Sequence, residues 1–150
     1  MTEQTNGLVG HTTAESDIAI VDKFFSALRD KDLDTAESLL DNDVVYQNVG
    51  LPTIHGSRRA MRLFTGMQRP SLGFDLKIHR TAADGGTVLN ERTDVITVGP
   101  VRMQFWVCGV FEVRDGRITL WRDYFDFYDM TKGLLRGLLG AIVPGLRPTL

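Results

Sequence analysis

From "QRPSLG" to the C-terminal tail the chain consists of long strand-like segments broken only by short turn-forming stretches, and this run limits the possible folds more than any other feature. The first segment carries Phe74, Leu76 and Ile78 on one face and ends at "ADGG". "TVLNERTDVITV" (87–98), "VRMQFWVCGVFEV" (101–113) and "ITLWRDYFDFY" (118–128) follow, separated by "GP" at 99–100 and "RDGR" at 114–117. Turns this short join neighbouring strands antiparallel, so the segments predict a meander. "VRMQFWVCGVFEV" is nearly continuous in apolar residues, which predicts a strand buried on both faces and makes Cys108 an inert core residue.

Ahead of the meander the spacing is helical. Ile18, Val21, Phe24, Phe25 and Leu28 recur on one face from Ala14 to Asp30, a shorter helix is expected from Leu33 to Leu40, and Ser57 is the expected N-cap of a helix reaching about Met67. Between them "DVVYQNV" alternates Val44, Tyr46 and Asn48 against Val45, Gln47 and Val49, as a short strand does, before Pro52 and Gly56 break the pattern. From Met130 onward the tail reads as a helix weakened by glycines. Residues 1–13 read as a flexible tail, leaving 14–150 as a single domain. Helices interleaved with one strand and followed by a strand meander indicate an α+β fold rather than alternating βαβ units, with a pocket on the concave side of a curved sheet.

Several function classes are disfavoured. A net charge of −2 on 150 residues gives no basis for nucleic-acid binding. The lone Cys108 rules out an internal disulfide and a thiolate zinc site, and His11, His55 and His79 are scattered without metal-ligand spacing. No phosphate loop, Gly-x-Gly-x-x-Gly or Gly-x-Ser-x-Gly motif is present, so no metal or cofactor is expected. The N-terminus lacks a basic segment followed by an apolar run, and "GLLRGLLGAIVPGL" is interrupted and too short for a bilayer, so a cytoplasmic protein without a membrane span is expected. "SRRAMR" reads as a solvated helix face.

The informative residues are polar ones in strands that could be apolar. Val88, Asn90, Arg92, Asp94 and Ile96 share one face of their strand, and Trp121, Asp123 and Phe125 share one face of theirs. Asp126 falls with Arg122 and Tyr124 on the other face and reads as a structural charge paired with Arg122. Any one of these charges could sit on a solvent face. If the faces carrying Tyr46 with Asn48, Arg92 with Asp94, and Asp123 converge, a buried Tyr, Asn, Arg and two Asp result. Burial makes isolated carboxylates costly, but an arginine between two of them lets one ionise while the other keeps its proton. Such a pair supplies a general base and a general acid together.

"YQN" at 46–48, "ERTD" at 91–94 and "GRITLWRDYFD" at 116–126, in this order and spacing, resemble the limonene-1,2-epoxide hydrolases, particularly their mycobacterial-type members, over roughly residues 14–127. The resemblance implies a cone-shaped, strongly curved, mixed and mostly antiparallel sheet wrapped by helices, the nuclear-transport-factor-like or cystatin-like fold, usually as a homodimer. It implies one-step hydration of an apolar epoxide to a vicinal diol, with water as the second reactant and no covalent intermediate. By motif, Asp123 would be the base, Tyr46 and Asn48 would hold the water, Asp94 would be the protonated acid, and Arg92 would bridge the two carboxylates. Ile96, Phe105, Val107 and Phe125 are the expected substrate-lining residues, with plain core packing as their alternative.

Two other readings share this fold: a ketosteroid-isomerase-like or polyketide-cyclase-like enzyme, and a non-catalytic small-molecule-binding dimer. Arg92 weighs against the isomerase, because a guanidinium holds carboxylates ionised where an enolate needs a neutral acid donor.

Overall fold

Helices lead and strands follow, as the hydrophobic spacing predicts. The computed structural model describes residues 4–150, with side chains from Thr13 onward. In chain order the elements are α1 (Gln4–Arg29), α2 (Leu33–Ser38), β1 (Leu40–Asn48), β2 (Ile54–His55), α3 (Ser57–Thr65), β3 (Leu72–Asp84), β4 (Thr87–Val98), β5 (Val101–Arg114), β6 (Arg117–Phe125) and α4 (Phe127–Ile142). The strands form one curved, unclosed six-stranded sheet in the order β2-β1-β6-β5-β4-β3. The β3–β6 meander and the β1–β2 pair are antiparallel, and β1 joins β6 in parallel, which makes the sheet mixed.

The core lies between one face of the sheet and α1 and α3. Val21, Phe24, Phe25 and Leu28 from α1 and Ala60, Met61 and Phe64 from α3 pack against Tyr46, Val88, Phe111 and Trp121 from the strands. Trp121 is its centre, stacked on Tyr46 at 4.0 Å between ring centroids and edge-on to Phe24 at 4.9 Å. Burying each such large side chain contributes about 1.5–3 kcal/mol. The α+β core thus places polar strand residues next to a wall of aromatics.

Several local expectations need correction. Helix α1 begins at Gln4 rather than at residue 14; residues 1–3 of the expected tail lie outside the described residues. Extending a helix already nucleated by packing adds one hydrogen bond per residue fixed, so the backbone continues where the apolar stripe does not. The N-cap of α3 is Gly56, at φ 93°, rather than Ser57. Gly56 takes a left-handed conformation while its N–H bonds the Val44 carbonyl at 2.9 Å, and Ser57 instead donates its hydroxyl to Glu37 at 3.3 Å.

Strand β5 is not buried on both faces. Phe105, Val107, Gly109 and Phe111 face inward, whereas Trp106 is 52 % exposed and Cys108 is exposed, so the assignment of Cys108 to the core is wrong. An apolar run reports the hydrophobicity of both faces but not whether both are covered. Asp126 is also not paired with Arg122: it caps α4 by accepting from the backbone N–H of Tyr128 at 2.7 Å, while Arg122 donates to Gln47 at 2.8 Å.

The α4 glycines are packing residues. Strand β6 pairs with β5 only as far as Val107, so residues 101–106 of β5 have an open edge on that side, and α4 lies along it. A Cβ on Gly133 would run into the Gln104 carbonyl oxygen, and one on Gly137 would meet that of Arg102. The Trp106 backbone N–H is satisfied by Asp129 at 3.1 Å. A glycine stripe thereby blunts a strand edge that would otherwise present unpaired backbone groups. Among the described residues no helix is long and apolar enough to cross a membrane.

Candidate active site

Strand register, rather than sequence spacing, assembles the site. In the parallel β1–β6 pair Tyr46 lies beside Trp121 and Asn48 beside Asp123. Across β6–β5 Asp123 is opposite Gly109, and across β5–β4 Gly109 is opposite Asn90. One row across four strands therefore reads Asn48, Asp123, Gly109, Asn90. Arg92 starts in the next row, opposite Val107, and Asp94 in the one beyond, opposite Phe105.

A bulge makes the rows possible. Glu112 pairs with Leu120 and Val113 with Ile118, leaving Thr119 as an extra residue on β6. Strict alternation would send Ile118 and Trp121 to opposite faces; the bulge shifts the phase so that both are buried, at 0 % and 2 % exposure. Because it precedes Trp121, the alternation of Trp121, Asp123 and Phe125 is intact.

Arg92 is fully buried and connects the polar groups. Its Nε donates to Asp94 Oδ1 at 2.8 Å and its Nη2 to Asp94 Oδ2 at 3.1 Å. The same Nη2 lies 2.8 Å from Asp123 Oδ2, and Nη1 donates to Asn90 Oδ1 at 3.0 Å. Phe25 of α1 covers the guanidinium, 4.7 Å from its ring centroid. Asp123 Oδ2 also accepts from the Trp121 indole N–H at 2.8 Å, whereas Oδ1 is buried without a hydrogen-bond partner among the described residues. Arg92 reaches Asp123 over Gly109: a Cβ there would collide with Arg92 Nη1 and lie 2.7 Å from both Asn90 Oδ1 and a Phe111 ring carbon.

Burial dominates the electrostatics. It pushes the Asp94 carboxyl up to about 6, with the Arg92 charge and hydrogen bonds opposing it and the Asp123 charge adding to it. Asp123 is raised by burial as well, against the opposing effects of Arg92 and the Trp121 donor. Tyr46 is raised above the ordinary phenol value by burial and by the Asp123 charge, although a hydrogen bond with Asn48 works the other way. Adjacent buried carboxyls beside one cation favour a state with a single proton between them, which makes the site neutral overall.

This has a measurable consequence for stability. The folded Asp94 carboxyl holds its proton to about 6, while an unfolded chain releases it near the ordinary 3.8. Between those values the folded state binds more protons, so this group's contribution to stability falls as pH rises through the window. Asp94→Asn removes that contribution, and the melting temperature of the variant relative to the unsubstituted protein is expected to rise from about pH 4 to about pH 7. A difference that stays flat with pH, measured by thermal unfolding, would contradict the raised value.

A cavity of about 240 Å³ opens onto this cluster. Tyr46, Asn48, Asp94 and Asp123 line it together with Ile96, Phe105, Val107 and Phe125. All eight of these residues singled out from the sequence thus meet at one cavity, while Arg92 lies behind its wall. Phe64 of α3, Met67 beyond its end, Phe74 of β3, Leu51 and Met130 add an apolar surround that the sequence did not mark. Trp121, on the strand face of Asp123, is also a hydrogen-bond donor to it; a Trp two residues from a strand Asp is the signal that could have indicated this role. Alternation placed Asn90 on the face of Arg92 and Asp94 but marked no role for it, and nothing local indicated Gly109 or Phe25. No group of three or more His, Cys, Asp or Glu among the described residues is arranged to hold a metal ion.

A family model described as the limonene-1,2-epoxide hydrolase catalytic domain matches residues 15–136. The chain is 58 % identical over 130 residues to epoxide hydrolase EphG of Mycobacterium tuberculosis, covering 87 % of each sequence. The solved structure of an M. tuberculosis LEH-like epoxide hydrolase superimposes with a TM-score of 0.88 at 56 % identity, over 92 % of this chain and 98 % of that one. A putative ketosteroid isomerase from Kribbella flavida shares the fold alone, with a TM-score of 0.61 and 24 % identity over 75 % of this chain and 79 % of its own. The mixed, curved sheet with helices is the nuclear-transport-factor-like architecture expected from the sequence.

Proposed function

The chain belongs to the limonene-1,2-epoxide hydrolase family and is an epoxide hydrolase, and on that premise we propose that it hydrates an apolar epoxide to a vicinal diol in one step, with no covalent enzyme intermediate. The observation that carries this reading is the division of labour within Asp123. Its Oδ2 is committed to Arg92 and Trp121, while Oδ1 has no hydrogen-bond partner among the described residues and the residue lines the cavity. Oδ1 is the base: it accepts a proton from a water that the Tyr46 hydroxyl and the Asn48 amide hold in place. The water oxygen bonds to an epoxide carbon as the carbon–oxygen bond opens, and Asp94 delivers its proton to the leaving oxygen. The longer of Asp94's two bonds to Arg92, to Oδ2, leaves that oxygen the better site for the proton. Water and epoxide become diol, Asp123 gains a proton and Asp94 loses one, and water in the cavity returns the proton.

The two proton transfers would each accelerate the step by about 10²- to 10⁴-fold. Arg92 lets them coexist: it stabilises the carboxylate that must be charged without needing both to be. The apolar walls formed by Ile96, Phe105, Val107 and Phe125 favour an apolar epoxide and keep competing water scarce. No observation specifically favours isomerase or cyclase chemistry.

Single turnover with excess enzyme in ¹⁸O-water tests the one-step reaction. Label is expected in the diol of the first turnover, because solvent supplies the oxygen directly. An unlabelled first-turnover diol, with label entering only on later cycles, would mean that an enzyme carboxylate attacks the epoxide.

We also propose that the protein acts as a homodimer through the outer sheet face. Leu89, Trp106 and Tyr124 are 50 %, 52 % and 44 % exposed there, and Cys108 lies among them, opposite Tyr124. An apolar face of this kind on an isolated chain is normally covered by a partner. Sedimentation equilibrium is expected to give twice the chain mass, and Trp106→Glu is expected to give one; a monomer before substitution would refute the proposal.

A further inference from the structure

Arg92 can serve two carboxylates only if its guanidinium is held in one plane, and Asp94 alone does not fix it. The Nη2 group is shared between Asp94 Oδ2 and Asp123 Oδ2 at 3.1 and 2.8 Å, so a small rotation would improve one contact and weaken the other. The remaining anchor is Asn90, two residues before Arg92 on the same strand face as Asp94 is two residues after. Asn90 is 4 % exposed, and its Oδ1 accepts from Arg92 Nη1 at 3.0 Å. It does not line the cavity. Its Nδ2 is buried without a partner among the described residues, so its one side-chain hydrogen bond there is the one to Arg92.

We propose that Asn90 is a positioning residue for Arg92, a buried neutral acceptor that fixes the guanidinium over Gly109 and leaves its positive charge to Asp94 and Asp123. The proposal rests on the hydrolase mechanism above and adds to it a requirement on a residue that touches neither substrate nor water. Neutrality matters as much as position. A carboxylate at 90 would accept the same hydrogen bond but would draw on the same positive charge, leaving less of it to hold Asp123 ionised. Among the described residues the titratable groups facing Arg92 are Asp94 from β4, Asp123 from β6 and Tyr46 from β1, while α1 contributes the uncharged Phe25. A new carboxylate at 90 would therefore act on these three groups.

Three variants separate position from charge. Asn90→Leu keeps the approximate volume but removes the acceptor. It is expected to lower kcat at least tenfold with KM within threefold of the parent, because position 90 is outside the cavity. Asn90→Asp keeps shape and acceptor and is expected to move the acidic limb of the kcat profile to higher pH by at least half a unit. Asn90→Thr keeps a neutral acceptor and is expected to retain the parent profile with a smaller loss of rate. The same shift for Asn90→Asp is expected in the carboxyl ¹³C titration of Asp94 and Asp123 in the resting protein, which needs no turnover.

An Asn90→Leu enzyme with parental kcat, or an Asn90→Asp protein whose pH profile and carboxyl titration match the parent, would overturn the proposal. If Asn90→Leu does not fold, the other two variants decide. Failure of the parent to hydrate any epoxide would instead refute the mechanism, and the titration would still test the Asn90–Arg92 contact on its own.

Discussion

Asp123→Asn is expected to reduce diol formation by at least about 10³-fold, within the range lost when a positioned general base is removed, while leaving thermal unfolding close to that of the parent. The amide oxygen can still accept from the Trp121 indole and from Arg92 Nη2, the two contacts that Asp123 Oδ2 makes, so the packing around it has little reason to change. What is lost is the free Oδ1 lone pair and the ability to take a proton. Asp94→Asn is expected to lose activity for the complementary reason, because an amide cannot deliver a proton to the epoxide oxygen. Product analysis against an epoxide panel, paired with melting curves, checks both. More than a tenth of parental activity in Asp123→Asn would remove that residue from the role of base.

The second large effect is expected from one methyl group. In Gly109→Ala the new Cβ would collide with Arg92 Nη1 and sit 2.7 Å from Asn90 Oδ1 and from a Phe111 ring carbon. All three neighbours are buried in a packed interior, and Phe111 is held against Phe25 and Trp121. Overpacking of this kind costs about 1–3 kcal/mol of stability. The larger consequence is chemical: the guanidinium can no longer cross β5 to Asp123. Without that contact Asp123 keeps its burial but loses the cation that opposes it, so its proton is held to still higher pH and a base is missing where one is required. A fall in kcat of at least about 100-fold, equivalent to about 2.7 kcal/mol of barrier, is expected together with a lower melting temperature. Activity within twofold of the parent would show that Arg92 does not need this route.

Much of the site was legible before the fold was known because side-chain alternation is a local property. Arg92 and Asp94 had to share a face, as did Trp121, Asp123 and Phe125, once their segments were strands. Turn residues at "ADGG", "GP" and "RDGR" likewise fixed the antiparallel order, since each joins strands too closely for any other pairing. The errors arose where a local pattern has two tertiary outcomes. The apolar run in β5 fitted a strand covered on both faces, but its outer side leaves Trp106 and Cys108 exposed. Glycines in α4 looked like weak points of a helix, yet they let it approach the β5 backbone. Asp126 had a plausible partner in Arg122, but the start of α4 offered it backbone N–H groups instead.

The sequence by itself determined the meander, the amphipathic helices and the set of polar residues able to support acid–base chemistry, because these follow from chain periodicity and side-chain chemistry over a few residues. Only the tertiary structure decided which of those residues become neighbours. Tyr46 and Asn48 lie beside Trp121 and Asp123 through a parallel pairing between segments remote in the chain, and the Thr119 bulge turns Trp121 toward the core. Register and bulges are set by the packing of whole elements against a shared core. For that reason the role of Gly109, which carries no functional group, emerges only when Arg92 is seen passing over it to reach Asp123.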